Sequence, residues 1–127
     1  LRPPRVGHGI FTPAPLLRAM ERDGTAVEVC LTSNVVSRSI PDAASHPVLR
    51  PGAFAGPVVF CCDDRGLFRT TLSDELAKGY LAYHKNETLP GFLAEQFRVG
   101  LGLSFLTPGE REKLASLVPG PERAAEA

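Results

Sequence analysis

The chain has 127 residues, enough for one ordinary domain, and its 43% hydrophobic and 22% charged content suits a packed globular core. Lys plus Arg equals Asp plus Glu at 14 each, so the formal net charge is zero. That balance excludes a broad polyanion-binding face and a polybasic membrane anchor, so neither nucleic acid nor membrane is expected as a partner, while a small phosphate-bearing ligand stays possible.

In chain order, Arg5-Val6-Gly7-His8-Gly9 reads as a short strand ending in glycines. Leu16, Leu17 and Met20 recur at helical spacing, which predicts a helix over 16–23 with Pro13 and Pro15 at its start and Gly24 as its stop. Residues 26–31, Ala-Val-Glu-Val-Cys-Leu, are rich in β-formers and predict a second strand, with Thr32-Ser33-Asn34 at its C-terminal end. Residues 36–57 hold Pro41, Pro47, Pro51, Gly52, Gly56 and Pro57 and read as a loop with a short helical piece near 43–49. Val58-Val59-Phe60-Cys61-Cys62 is a continuous apolar run, the pattern of a parallel strand buried on both faces, and it ends abruptly in Asp63-Asp64. A helix is expected over 72–84, capped by Thr71 or Ser73, with Asp74 and Glu75 in its first turn. Residues 92–105 read as a helix weakened by Gly100 and Gly102, 110–118 as a short helix, and 119–127 as a disordered tail.

Strand and helix alternate, which predicts an α/β fold with parallel strands. The polar residues fall just past each strand: His8, then Thr32-Ser33-Asn34, then Asp63-Asp64. In such folds the C-terminal strand edge is where chemistry sits. His8 between two glycines reads equally as a structural histidine or a site residue. Asp63-Asp64 reads either as a surface turn, since Asp-Arg-Gly is good turn chemistry, or as two carboxylates serving a metal and a substrate. His46, before Pro47, and His84, near a helix end, read as solvated or capping residues. Arg5, Arg65 and Arg69 read as solvated cations near that edge, any of which could meet a phosphate. Cys30, Cys61 and Cys62 form neither a Cys-x-x-Cys pair nor a disulfide framework and suit a reducing compartment, the cytoplasm. No apolar run approaches the ~20 residues of a membrane span. The opening Leu-Arg-Pro-Pro-Arg-Val lacks Met and reads as the start of a fragment.

Four ordered segments, Arg5-Val6-Gly7-His8-Gly9, Val27 to Val35, Cys62-Asp63-Asp64-Arg65-Gly66-Leu67-Phe68 and Thr71-Leu72-Ser73-Asp74-Glu75, resemble the adenosine/AMP deaminase family. The Cys-Leu-Thr-Ser-Asn-Val and Asp-Asp-x-Gly-x-Phe forms are similar to its adenosine deaminase-like branch, associated with N(6)-methyl-AMP. The resemblance implies the C-terminal part of a (β/α)8 TIM barrel over residues 1–118, a complete barrel needing roughly 250 residues. It implies a zinc-dependent hydrolytic deaminase acting on a purine nucleoside or nucleotide. Asp63 then matches the aspartate zinc ligand, Asp64 the aspartate that binds the purine, and His8 the catalytic histidine beside the zinc-bound water. The family's His-x-His pair and its His-Ala-Gly-Glu segment, with a third histidine ligand and the proton-shuttle glutamate, are absent from these 127 residues. The isolated chain is therefore expected to be inactive, and a non-catalytic truncated or pseudo-enzyme fragment is the alternative. Part of a barrel is also expected to leave two strand edges open.

Overall fold

The computed structural model describes residues 2–84 and 86–117. Three short parallel strands form one sheet: β1 (Arg5–Gly7), β2 (Ala26–Val29) and β3 (Val58–Phe60), in that order. Val6 lies opposite Val27, and Val27 opposite Val58, so the three strands run in step and end together. The central strand is the most deeply placed: Ala26, Val27 and Val29 have no solvent exposure.

Helix α1 (Ala14–Asp23) connects β1 to β2. Pro15 sits in its first turn, where a missing N–H loses nothing, and Gly24 ends it in the left-handed conformation. Its Leu17 and Met20 turn inward. After β2 the chain enters helix α2 (Leu31–Val36) directly; the sequence suggested that the strand continued through Leu31. Two single-turn 3-10 helices, Ala43–Ser45 and Pro47–Leu49, interrupt the long loop where a helical piece was expected.

Beyond β3 come a one-turn helix α3 (Arg65–Phe68), α4 (Leu72–Gly79), a π-helical turn (Tyr80–His84), α5 (Leu89–Gly102) and α6 (Pro108–Ala115). Of the two caps the sequence offers, Thr71 and Ser73, it is Thr71 that caps α4, in a reciprocal capping box with Asp74. The expected disordered tail over 119–127 lies outside the described residues. Leu17, Met20, Val27, Val29, Leu31, Val48, Phe60 and Phe92 form the core. The Phe60 and Phe92 rings lie 6.0 Å apart and tilted. A side chain at Gly79 would strike the Phe60 ring at 2.8 Å, so α4 reaches β3 only because that residue is glycine.

The outer edge of β3 is not open. Along a parallel strand, alternate residues present their main-chain groups to opposite sides. Val27 N–H donates to the Pro57 carbonyl and Cys61 N–H to Val29, which leaves the Val58 carbonyl and Phe60 N–H facing away from β2. The Gln96 amide of α5 meets both: its Oε1 accepts from Phe60 N–H at 2.9 Å and its Nε2 donates to the Val58 carbonyl at 3.3 Å. The expectation of two bare edges is thus corrected on this side. Gln96→Ala would strand two main-chain groups, one of them fully buried in the wild type, at roughly 1–3 kcal/mol. Urea unfolding should show that loss of stability, and an unchanged midpoint would mean the edge groups find other partners.

Candidate functional site

The common end of the three strands gathers the site. β1 runs into Gly7-His8-Gly9, where His8 and Gly9 are both left-handed, with φ of 60° and 67°. His8 N–H still donates to the Glu28 carbonyl at 2.7 Å, so the turn is anchored to the central strand. A Cβ on Gly9 would lie 3.0 Å from Val27 and 3.2 Å from Val48, so glycine is required there by both conformation and space. A histidine held at positive φ is strained, and such strain persists only where the surroundings over-determine it.

β2 runs into α2, and two consecutive residues of that helix reach sideways. Ser33 Oγ donates to Asp63 Oδ2 at 2.7 Å, and the Asn34 amide N–H donates to His8 Nδ1 at 2.9 Å. Accepting at Nδ1 leaves Nε2 as the protonated ring nitrogen of a neutral His8. Nε2 faces Asp63 Oδ2 at 3.6 Å. The side chains of His8 and Asp63 are 43% and 39% exposed, so a ligand can reach both. The Ser33 hydroxyl, followed by the Asp64 N–H and His8, holds the Asp63 carboxyl below its usual range, so it is an anion at neutral pH.

Asp64 is exposed and caps α3, its Oδ1 accepting from Leu67 N–H at 2.7 Å. The two aspartates therefore diverge: Asp63 turns toward His8 and Asp64 toward the start of α3. The surface-turn reading is seen at Asp64, while Asp63 is held between Ser33 and His8. Among the described residues, no group of three or more His, Cys, Asp and Glu side chains could hold a metal ion. Asp63 fits one ligand position, an ionised and accessible carboxylate, and the described residues do not complete a coordination sphere. Burial pushes the Cys30 thiol up to about 12 and Cys61 to about 11, so neither offers a thiolate at neutral pH.

An open cavity of about 520 Å³ lies beside His8, bordered by Thr12, Leu16, Ser33, Asn34, Ser37 and Ser39. A larger one of about 710 Å³, between the 48–58 loop and α5, borders neither His8 nor either aspartate. Arg5 pairs with Glu28 at 2.9 Å and lies 4.3 Å over the Phe105 ring, which ties up one of the three cations expected near this edge. His84 is half-buried against Phe92, 4.9 Å between rings, and pairs with Glu87 at 3.0 Å.

His46 departs most from expectation. It is not solvated: its exposure is 0%, and neither ring nitrogen has a hydrogen-bond partner. Burial pushes its pKa down to about 4; the adjacent His8 main chain offsets part of this, in an approach short of hydrogen-bond geometry. An unfolded chain takes up that proton near the ordinary value of about 6.5. The folded pKa being the lower, this residue's contribution to stability is intact above about 6.5 and is lost as pH falls toward 4. His46→Phe should flatten that part of the acid limb in thermal melts between pH 4 and 7. Parallel limbs for the two proteins would contradict a buried neutral imidazole.

Among the described residues, no helix is long and apolar enough to cross a membrane. The sequence profile of the adenosine deaminase family matches residues 1–120. The adenosine deaminase-like protein of Drosophila melanogaster is 39% identical over 71 residues, 56% of this chain and 21% of that protein. The N6-methyl-AMP deaminase of Mus musculus is 37% identical over 81 residues, 59% of this chain and 22% of that protein. A solved structure of the ADAL–IMP complex superposes with a TM-score of 0.83 at 25% identity, covering 99% of this chain and 36% of the other. The chain thus spans between about a fifth and a third of these relatives, and its fold is the C-terminal part of a (β/α)8 barrel. With the profile matched over nearly its whole length, the chain belongs to the adenosine deaminase family.

Proposed function

We propose that this chain supplies part of the active site of a zinc-dependent hydrolytic deaminase acting on a purine nucleoside or nucleotide. Residues 1–118 are its C-terminal barrel segment. The observation that carries this reading is the convergence of His8 and Asp63, 3.6 Å apart at the end of parallel strands, each held by a neighbouring residue of α2. The reaction exchanges an amino group for oxygen: water adds to the purine carbon bearing the exocyclic amine, and the amine leaves with a proton. A zinc ion held in part by Asp63 would supply the Lewis acidity that lets water ionise near neutral pH.

In this reading Asp63 provides one carboxylate ligand. His8 stands beside the attacking water and exchanges a proton at Nε2, its Nδ1 being held by Asn34. Asp64, exposed and with one oxygen on the α3 cap, is the carboxylate assigned to the purine by its match to the family's motif. The cavity beside His8 is not lined by either aspartate, so it is assigned only to the part of the substrate beyond the reacting carbon, where Thr12, Ser37 and Ser39 suit a polar sugar or phosphate. The relative bound to IMP favours a nucleotide, and the mouse relative's name favours methylated AMP over adenosine. Three free cysteines, two of them with thiols held neutral by burial, favour a reducing compartment, the cytoplasm.

A second reading, a non-catalytic fragment, is favoured by the incomplete set of metal ligands among the described residues. Metal content paired with loss of purine absorbance separates the two. The 127-residue chain alone should retain little zinc and should not deaminate adenosine, AMP or methylated AMP above background. Supplying a polypeptide with the His-x-His and His-Ala-Gly-Glu segments should restore zinc and turnover. In that assembly Asp63→Ala should lose both. His8→Ala should keep zinc while turnover drops roughly 10²–10⁴-fold. Full activity in Asp63→Ala would remove the ligand assignment, and an assembly that binds zinc without turnover would favour the fragment.

A further inference from the structure

Glu75 is a carboxylate that the proposed reaction leaves unused. It sits on α4 with an exposure of 0%. Its Oε1 accepts from Thr70 Oγ1 at 2.7 Å and from the Thr32 hydroxyl, and its Oε2 accepts from the Thr32 main-chain N–H at 3.1 Å. Lys78 Nζ lies 3.8 Å from Oε1 and also donates to the Thr32 hydroxyl. Burying a charge is expensive, and an apolar residue of similar volume is often no less stable, so fold stability alone is a weak account of a carboxylate here.

Its position supplies a better one. The first N–H groups of a helix have no partner within the helix. The residue that opens α2 is Cys30, which makes no side-chain cap. Glu75 takes that role from another element: its carboxylate meets the Thr32 N–H from α4, 43 residues along the chain. The next two residues are Ser33, which holds Asp63, and Asn34, which holds His8.

We infer that Glu75 is a positioning residue: by fixing the first turn of α2 it sets where Ser33 and Asn34 stand, and through them the spacing of His8 and Asp63. The placement of α2 follows from the geometry alone; the catalytic consequence rests on the deaminase reading. Displacements near an ångström at reacting groups can slow a reaction by about 100-fold.

The test uses Glu75→Leu, which keeps volume and removes the acceptors, and Glu75→Gln, which keeps an acceptor for the Thr32 N–H. In the 127-residue chain, hydrogen–deuterium exchange should quicken over residues 31–36 in the Leu variant, while β2 and α4 keep their protection. The Gln variant should exchange like wild type. In the zinc-loaded assembly the Leu variant should lose about 10- to 100-fold in kcat with KM within about threefold, and Gln should restore most of the loss. Unchanged exchange over 31–36, or a loss of protection spread evenly over the chain, would overturn the inference. If the wild-type assembly shows no turnover, the deaminase reading fails while the exchange arm still decides the role of Glu75. Should Glu75→Leu not fold, Glu75→Asp, whose carboxylate stops one methylene short of the Thr32 N–H, carries the same local exchange expectation at smaller amplitude.

Discussion

β2 is hydrogen-bonded on both sides, and the site follows from that double pairing. Its register with β1 and β3 stops all three strands at the same level. The chain must leave the sheet there three times, and each exit carries a polar residue that the strand itself could not bury. The left-handed turn at His8 is tied to β2 through the Glu28 carbonyl. The third exit, after Cys61 N–H bonds to Val29, releases Asp63 beside it. Without the common register, residues 55 positions apart in sequence would not share an edge.

α2 converts that coincidence of levels into defined geometry. Adjacent residues of a helix point about 100° apart, so Ser33 and Asn34 can serve two different neighbours from one turn. One turn thereby holds an anionic carboxylate and fixes which nitrogen of an imidazole carries the proton. Neither Ser33 nor Asn34 needs to touch a substrate to matter. What they require is a first turn that does not fray, and a helix of six residues supplies little stability of its own. Support from α4 therefore belongs to the same constellation as His8 and Asp63.

Much of this was legible in the residues. The apolar run ending at Asp63-Asp64, the glycines around His8 and the strand–helix alternation pointed to polar residues gathered at one strand edge, and the order of four motifs pointed to the family. The conversion of β2 into α2 was not legible, because Leu31 and Val35 suit a strand as well as a helix and the absence of a capping side chain at Cys30 hid the boundary. His46 was misread because a histidine before proline in a loop is ordinarily wet. Its ring lies beside the His8 main chain, an approach that only the fold creates. Glu75 looked like a first-turn acid serving its own helix, and its neighbour Asp74 does perform that role. Only the fold distinguishes the acid that caps its own helix from the one that caps another.

The amide of Gln96 sits on β3 in the way a neighbouring strand would, one acceptor and one donor at the spacing of a parallel ladder. In a closed barrel β3 has a strand on both sides, so any strand arriving there must first displace this side chain. That exchange trades two hydrogen bonds for two of the same kind and leaves the buried Phe60 N–H satisfied before and after. Gln96 in this sense is a side chain standing in for a strand, and a single amide on a helix does for this edge what a whole extended segment does elsewhere in a sheet.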